Sequence, residues 1–329
     1  GLTAAIVSVF LGAVAQALTQ RPFLKNNYKY KFIIDFKDEN VKRMLILAIP
    51  ILISSAVSQI NLMVARDFAS NLVEGSISVI DYASKFSTII NQVFIVSITT
   101  VFYPKLTEKF AVDDMEGFKQ LFIKSVNLVM IVAIPLIFGL ATLSEPVIKL
   151  VLEHGKFDSE ATRATSMCLK YLSFSAFGYS LMDILGKVFF AMKNTVTPMI
   201  NGFILVVVNV GLVLLLGPLL GVNGIALATT LSVTILSLIL FIEIKIRLKG
   251  VNYRKIFIAF LKMSLSGVIM ALAVSLCNKQ LYNIMPKNNL YLLINIIIST
   301  AVGALVYVGM LIILKTEELQ DLIKLKFKK

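Results

Sequence analysis

The sequence predicts an all-α polytopic membrane protein, and three observations carry that prediction. Hydrophobic residues make up 57% of the 329 residues, charged residues make up 16%, and the mean hydropathy is +0.85. Apolar runs about as long as a hydrocarbon core is thick recur along the chain. The basic residues behind the net charge of +13 lie in short connections between these runs, which is typical of membrane proteins and not of nucleic-acid-binding proteins.

Hydropathy divides the chain into nine predicted membrane helices, separated by turn residues and charged connections. Their ranges are 1–19, 44–65, 78–103, 118–142, 166–192, 197–217, 222–245, 255–277 and 289–314. The connections after the odd-numbered helices are the more basic ones. The positive-inside rule therefore predicts that these connections and the C-terminus are cytoplasmic.

Two neighbouring predicted helices, on either side of Gly75, each carry a polar stripe at helical spacing. The stripes consist of Ser54, Ser58 and Asn61 on the first helix and of Asp81, Lys85, Thr88 and Gln92 on the second. Charged and amide side chains within hydrocarbon are costly unless they face protein or a water-filled cavity. The two stripes therefore predict a polar cavity.

Lys85 is the strongest single candidate for ligand binding, because it lies about two turns inside its helix, at roughly 10 Å depth. A cation at that depth suits an anionic ligand such as a phosphate. Two alternatives remain open from the residues alone. Lys85 either extends its amine to the membrane surface or forms a local ion pair with Asp81.

Two further polar groups lie within apolar segments. Asp183 and Lys187 are four residues apart on one helix and predict a structural ion pair, with a charge relay as the alternative. Asn209, Thr229 and the backbone carbonyl of Ile225 offer oxygen ligands to a small monovalent cation. The alternative for Asn209 and Thr229 is hydrogen bonding between helices, which is common in membranes.

Other features separate a transporter from an enzyme. Proline steps at Pro50 and Pro135 predict kinked helices of the kind found in transporters, and the amphipathic segment 145–161 is predicted to lie at the external surface. The sequence contains no glycine-rich phosphate loop or nucleophile motif. A single histidine, His154, excludes a multi-histidine zinc site. The carboxylates left for a membrane-embedded glycosyl- or phosphotransferase are Asp67, Asp81 and Asp158.

Six short stretches, taken together and in this order, resemble the lipid II flippase family (MurJ, also called MviN). They are VSQINL at 57–62, GSIS at 75–78, DYASK at 81–85, EHGKFD at 153–158, FFAMKNTVTP at 189–198 and GVNGIALATT at 221–230. The resemblance covers most of the chain and implies the fold of the multidrug/oligosaccharidyl-lipid/polysaccharide exporter superfamily. That fold has fourteen helices, in two six-helix lobes and a final pair that lines a groove for the lipid tail.

The resemblance implies that the chain starts at the sixth helix of such a protein. Residues 1–43 would then be the last helix of the first lobe with a cytoplasmic linker, residues 44–249 the second lobe, and residues 250–329 the final pair with a basic tail. The implied activity is flipping of lipid II across the bacterial cytoplasmic membrane, with no enzymatic step. The expected partners are lipid II and membrane lipids, without nucleic acid, and the expected state is a monomer.

The resemblance also implies roles for single residues. Lys85 stands where the family usually has a cavity arginine, so the charge is kept and bidentate phosphate binding is lost. Ser58, Asn61, Thr88 and Gln92 would line the same substrate cavity.

Some family members have a sodium site, and Asn209 and Thr229 match two of its ligands. Ala65 and Val213 stand where its two aspartates would be, and Asp67 is two residues away from the first. No cofactor is therefore expected except Na⁺ as a doubtful coupling ion. Within the same superfamily, export of another polyprenyl-linked saccharide or of a cationic drug is the alternative function.

Overall fold

All elements that the structure describes are helices. The structure is a computed structural model and describes residues 2–20, 38–39, 41–42, 59, 63–284, 286 and 288–316. The chain divides into two compact units, residues 1–52 and residues 53–329. In the first unit, helix α1 (Leu2–Gln20) exposes apolar side chains such as Val9 and Phe10.

The second unit contains ten further α-helices and one π-helical segment. They are α2 (63–70), α3 (Ser76–Ile89), the π segment (Ile90–Ile95), α4 (Val96–Ala111), α5 (Met115–Thr142), α6 (Ser144–Leu152), α7 (Ser159–Ala191), α8 (Val196–Leu220), α9 (Val222–Arg247), α10 (Tyr253–Ile284) and α11 (Asn289–Ile313). Among the described residues, seven helical segments are long and apolar enough to cross a membrane, and α3, the π segment and α4 together form one of them. The prediction of a polytopic helical membrane protein is confirmed.

Several predicted helix ranges were too short, because helical hydrogen bonding continues beyond the apolar residues that hydropathy detects. The range 78–103 is part of a segment that runs from Ser76 to Ala111. The range 166–192 begins earlier, at Ser159, where the side chain of Asp158 caps the helix by accepting a 2.9 Å hydrogen bond from the backbone N–H of Ala161. The range 255–277 runs from Tyr253 to Ile284. Most of the predicted helix 44–65, including Pro50, lies outside the described residues.

Helix α7 lies at the centre of the second unit and packs against α3, α5 and α9. Gly178 permits the close crossing of α7 and α9, because a Cβ atom there would lie 2.8 Å from the backbone nitrogen of Thr234. Two hydroxyl groups fix the neighbours of α7 in register. Ser87 of α3 donates a 2.8 Å hydrogen bond to the carbonyl of Leu172, and Thr230 of α9 donates one of 2.8 Å to that of Tyr171.

The apolar core of this unit has two parts, and α7 contributes to both. Its N-terminal half, including Leu169, packs with residues of α3, α6, α8 and α9. Its C-terminal half, including Leu185 and Phe189, packs with residues of α4, α5, α9, α10 and α11. The amphipathic segment 145–161 is resolved into α6, which buries Ile148, a turn, and the first residues of α7. The predicted boundary between the six-helix lobe and the final pair falls at the turn between α9 and α10 and stays a prediction.

Candidate functional site

The turn between α2 and α3 brings two charged side chains together. Gly75 has a φ of 90°, a left-handed conformation that favours glycine. Across this turn Arg66 donates hydrogen bonds of 3.2 and 3.1 Å to the two carboxylate oxygens of Asp81. The local ion pair of Asp81 with Lys85, considered from the sequence, is therefore wrong, because Arg66 occupies the carboxylate.

Lys85 is exposed on α3 and forms no ion pair within the part of the chain that the structure describes. Its Nζ lies 5.5 Å from the centre of the Tyr82 ring, a cation–π distance. The Tyr82 ring in turn makes an edge contact with Phe157, with the ring centres 5.8 Å apart. The aromatic pair holds a cation near the surface of the bundle without neutralising its charge.

The other predicted substrate ligands fall into two groups. Thr88 and Gln92 are exposed, like Lys85. Thr88 Oγ1 donates a 2.7 Å hydrogen bond to the carbonyl of Ser84, one turn earlier. Ser58 and Asn61 lie outside the described residues, as does Ser54. The stripe of Lys85, Thr88 and Gln92 is called the α3 stripe below, although Gln92 belongs to the π segment.

Asp183 and Lys187 form the predicted ion pair, and a third residue completes it. Lys187 Nζ lies 3.1 Å from Asp183 Oδ2 and donates a 2.7 Å hydrogen bond to Thr99 Oγ1. Thr99, which is fully buried, donates a 2.6 Å hydrogen bond to Asp183 Oδ2. These three residues, called the α7 triad below, join α4 to α7 and satisfy one another.

Asn209, Thr229 and Ile225 also lie together, at the interface of α8 and α9. Asn209 Nδ2 donates to Ser232 Oγ at 2.9 Å and lies 3.5 Å from Thr229 Oγ1. Thr229 Oγ1 donates to the carbonyl of Ile225 at 3.0 Å. These groups use one another as partners, as hydrogen-bonded residues between membrane helices do.

Among the described residues, no carboxylate hydrogen bonds to Asn209. Val213, which is 1% exposed, stands one turn from it in an apolar cluster that also includes Phe68 and Ala65. Asp67 is exposed, and no hydrogen bond joins its side chain to Asn209 or Thr229 in the part of the chain that the structure describes. The donor set is neutral and does not fit the sodium site that the resemblance implies.

Sequence reasoning missed three residues that decide these arrangements: Arg66, Thr99 and Ser232. No spacing rule marks them, because each contacts its partner across a turn or from another helix. Among the described residues no group of three or more His, Cys, Asp or Glu could hold a metal ion. Cys168 and Cys277 are free thiols; Cys168 is buried and Cys277 is partly exposed.

The family model for the lipid II flippase MurJ matches residues 2–313. The chain belongs to this family. The resemblance read from the six stretches is thereby confirmed, and the chain is a multi-pass membrane protein. The resemblance predicts a substrate cavity lined by five residues. Of these, the structure describes the three that form the α3 stripe.

Two relatives illustrate the match. A probable lipid II flippase MurJ from Rhizobium meliloti is 33% identical over 202 residues, which cover 61% of this chain and 38% of the relative. One from Thermotoga maritima is 28% identical over 314 residues, which cover 95% of this chain and 60% of the relative. The chain thus spans roughly half the length of the curated relatives it matches.

Solved structures agree with the family at the level of the fold. A lipid II flippase MurJ in an inward closed conformation matches with a TM-score of 0.69 and 30% identity, over 91% of this chain and 58% of that structure. An outward-facing MATE multidrug transporter of the MOP superfamily matches with a TM-score of 0.54 and 17% identity, over 84% of this chain and 66% of that structure. The second likeness shows a shared fold alone.

Proposed function

We propose that this chain takes part in flipping lipid II across the bacterial cytoplasmic membrane by alternating access, as a transporter and not as an enzyme. Its membership of the MurJ family supports the cargo. The likeness to a lipid II flippase MurJ in an inward closed conformation supports alternating access. Such a cycle moves cargo because the free energy of binding differs between the two states.

The observation that carries the proposal is the exposed charge of Lys85, which forms no ion pair with any residue that the structure describes. Two neighbouring charged groups are paired instead, Arg66 with Asp81 and Lys187 with Asp183. An ammonium group in a membrane-spanning helix that keeps its charge exposed favours an anionic ligand over a hydrocarbon neighbour. The pyrophosphate of lipid II is such an anion, and Thr88 and Gln92 would contact its polar surroundings from the same face of the helix.

The proposal is tested by substituting Lys85 in the complete gene and measuring rescue of cells depleted of their own flippase. We expect Lys85→Ala to abolish rescue while the protein still inserts, because the pyrophosphate loses its cation. Lys85→Arg should rescue fully, since it restores the charge and adds bidentate phosphate binding. Lys105→Ala is the matched control, because Lys105 is an exposed lysine on the same continuous helical segment.

Full rescue by Lys85→Ala at normal protein levels would contradict the role of the α3 stripe. Loss of rescue in both Lys85→Ala and Lys105→Ala would point to a general effect of removing lysines. Binding of purified lipid II to the two variants separates these outcomes. Substituting a residue that lines the cavity lowers the affinity for lipid II, whereas substituting a lysine that only sets the membrane orientation does not.

We also propose the orientation and assembly of the chain. Basic residues are concentrated where α4 meets α5, where α9 meets α10, and in the C-terminal tail. By the positive-inside rule, they support a cytoplasmic C-terminus. The turn at Gly75 and helix α6 would then lie on the outer side. We propose that the chain works as a monomer, as expected from the sequence.

For the coupling ion, we propose that this chain does not use Na⁺ at Asn209 and Thr229. The absence of a carboxylate beside Asn209, where Val213 is buried, supports this proposal. We expect lipid II flipping in vesicles to be equally fast in sodium and in potassium buffers. Val213→Asp adds the missing ligand and should create Na⁺-dependent thermal stabilisation, with Val213→Asn as the uncharged control. Flipping that requires Na⁺ in the unsubstituted chain would contradict the proposal.

A further inference from the structure

A cavity lies where α6 meets the end of α10 and the start of α11, away from the α3 stripe. Its volume is about 460 Å³ with the open mouth included. Its polar lining consists of Lys149, Tyr282, Asn288, Asn289, Tyr291 and Asn295. Among the described residues that line it there is one cation and no carboxylate.

Asn295 gives the cavity a fixed polar floor. It is 2% exposed, and its amide nitrogen donates a 3.2 Å hydrogen bond to the backbone carbonyl of Asn278. Its amide oxygen accepts a 3.0 Å hydrogen bond from Ser299 Oγ. An amide nitrogen has two protons, so the orientation that these two partners set leaves one donor for a ligand.

Two further groups make the cavity favourable to an anion. Lys149 Nζ forms an ion pair with Glu153, whose Oε1 is 3.7 Å away. The carboxylate offsets part of the lysine's charge, but the distance is too long for a hydrogen bond, so the N–H groups of Lys149 can still donate to a ligand. Helix α11 begins at Asn289, with the side chain of Asn288 accepting a 3.0 Å hydrogen bond from the backbone N–H of Tyr291. The positive end of the helix dipole therefore lies at the cavity, beside the ammonium group.

The surface beside the cavity indicates which kind of anion the cavity would bind, namely the headgroup of a lipid. Leu290, Leu293 and Ile297 of α11 are 63%, 41% and 58% exposed and lie along the membrane-spanning helix from the mouth of the cavity. An acyl chain could cover this apolar strip, whereas a soluble anion could not. Tyr282 and Tyr291 at the rim are typical of the level of the lipid headgroups.

We propose that this cavity binds the phosphate-bearing headgroup of an anionic phospholipid, whose acyl chain lies along Leu290, Leu293 and Ile297. Lys149 and the first turn of α11 neutralise the phosphate, and the amide of Asn295 donates to it from the floor. Under the proposed orientation this lipid belongs to the outer leaflet. The cavity shares no lining residue with the α3 stripe, so a lipid held here is distinct from one whose pyrophosphate is bound at Lys85.

The probe for this site is a phosphatidylglycerol analogue with a photoreactive group near the glycerol, added to the whole chain in phosphatidylcholine nanodiscs. Mass spectrometry then locates the labelled residues. We expect labelling to concentrate in residues 282–295 and in α6, and to exceed the labelling by a matching phosphatidylcholine analogue. Lys149→Gln should lower it about tenfold, as the loss of one charge-assisted hydrogen bond predicts.

Two variants serve as matched controls. Glu153→Gln breaks the same ion pair as Lys149→Gln but keeps the cation, so labelling should persist or increase. Lys156→Gln removes an exposed lysine from the same connection without touching the cavity, and labelling should be unchanged. An equal loss in Lys149→Gln and Glu153→Gln would overturn the proposal, as would equal labelling by the two lipid analogues. Displacement of the label by millimolar glycerol phosphate would assign the site to a soluble anion and overturn the lipid assignment.

Discussion

The same sequence pattern, an aspartate followed four residues later by a lysine, is found on α3 and on α7 and has a different outcome on each. On α7, Asp183 and Lys187 pair with each other, and Thr99 hydrogen bonds to both. On α3, Asp81 pairs with Arg66, and Lys85 keeps its charge exposed beside the Tyr82 ring. The spacing permits an ion pair in both places.

What decides the outcome is the residue that a neighbouring element contributes. On α7 the contribution is a neutral hydroxyl, which adds hydrogen bonds without competing for either charge. Beside α3 it is a second cation, which takes the carboxylate and leaves Lys85 without an acidic partner among the described residues. The hydrogen bonds among Thr99, Asp183 and Lys187 join α4 to α7, whereas the ammonium group of Lys85 is available to a ligand. We therefore interpret the α7 triad as a structural group and the α3 stripe as the candidate binding site.

The largest effect is expected from opening the α7 triad. Asp183→Ala leaves Lys187 partly buried without its counter-charge, and we expect a loss of about 3 kcal/mol of unfolding free energy. Thermal or chemical unfolding in detergent measures it. Asp183→Leu combined with Lys187→Met should recover most of that loss, because the double variant removes both charges and keeps the volume. Equal destabilisation in the single and the double variants would mean that packing, and not charge pairing, dominates at this place.

The shared face of Lys85, Thr88 and Gln92 could be predicted from the sequence, because it depends on one helical segment alone. Lys85, Thr88 and Gln92 share an exposed face as their spacing indicates. The polar cavity that this face was predicted to line stays a prediction. The π segment between Ile90 and Ile95 was not predicted, since its residues are as apolar as those of an ordinary membrane helix.

The partners within each charged group could not be predicted, because they come from elsewhere in the chain. Thr99 and Thr100 look alike in the sequence. Both hydroxyls lie within hydrogen-bond distance of the carbonyl of Val96, at 2.7 Å for Thr100 and 3.1 Å for Thr99, as is common for threonines in membrane helices. Thr99 differs because it also faces α7 and donates a 2.6 Å hydrogen bond to Asp183. Only the packing of α4 on α7 separates the two. In the same way, Arg66 reaches Asp81 because of the turn that ends at Gly75.

A smaller effect is expected from breaking the pair beside α3. Asp81→Asn removes the ion pair with Arg66, whose side chain is 49% exposed, compared with 32% for Asp81. Solvent screens such a pair, so we expect a loss of less than about 1 kcal/mol of unfolding free energy. The same unfolding assay measures it, with Asp81→Glu as the control that keeps the charge. If Asp81→Asn lost as much unfolding free energy as Asp183→Ala, the ion pair beside α3 would be as important for stability as the α7 triad, and the contrast between the two sites would be wrong.

The smallest effect concerns an ion pair at the boundary between two helices, where α5 begins. The side chain of Asp114 accepts a 2.7 Å hydrogen bond from Lys109 and a 2.9 Å hydrogen bond from the backbone N–H of Gly117. These hydrogen bonds favour the carboxylate and lower the pKa of Asp114 below its ordinary value. A lowered pKa in the folded state means that the pair stabilises the cap fully at neutral pH and ceases to do so as the pH falls through the lowered pKa.

We expect this loss to be local, because the pair is exposed and satisfies only the first turn of α5. Hydrogen exchange of the amides of residues 115–118 should accelerate, relative to the intrinsic rate at each pH, when the pH is lowered from neutral to well below the ordinary aspartate range. Asp114→Asn should show faster exchange already at neutral pH and little further change with acid. Lys109→Met removes the largest cause of the lowered pKa, so the acceleration should begin at a higher pH than in the unsubstituted chain. An unchanged midpoint in Lys109→Met would show that the cap hydrogen bond from Gly117, and not the lysine, holds the carboxylate.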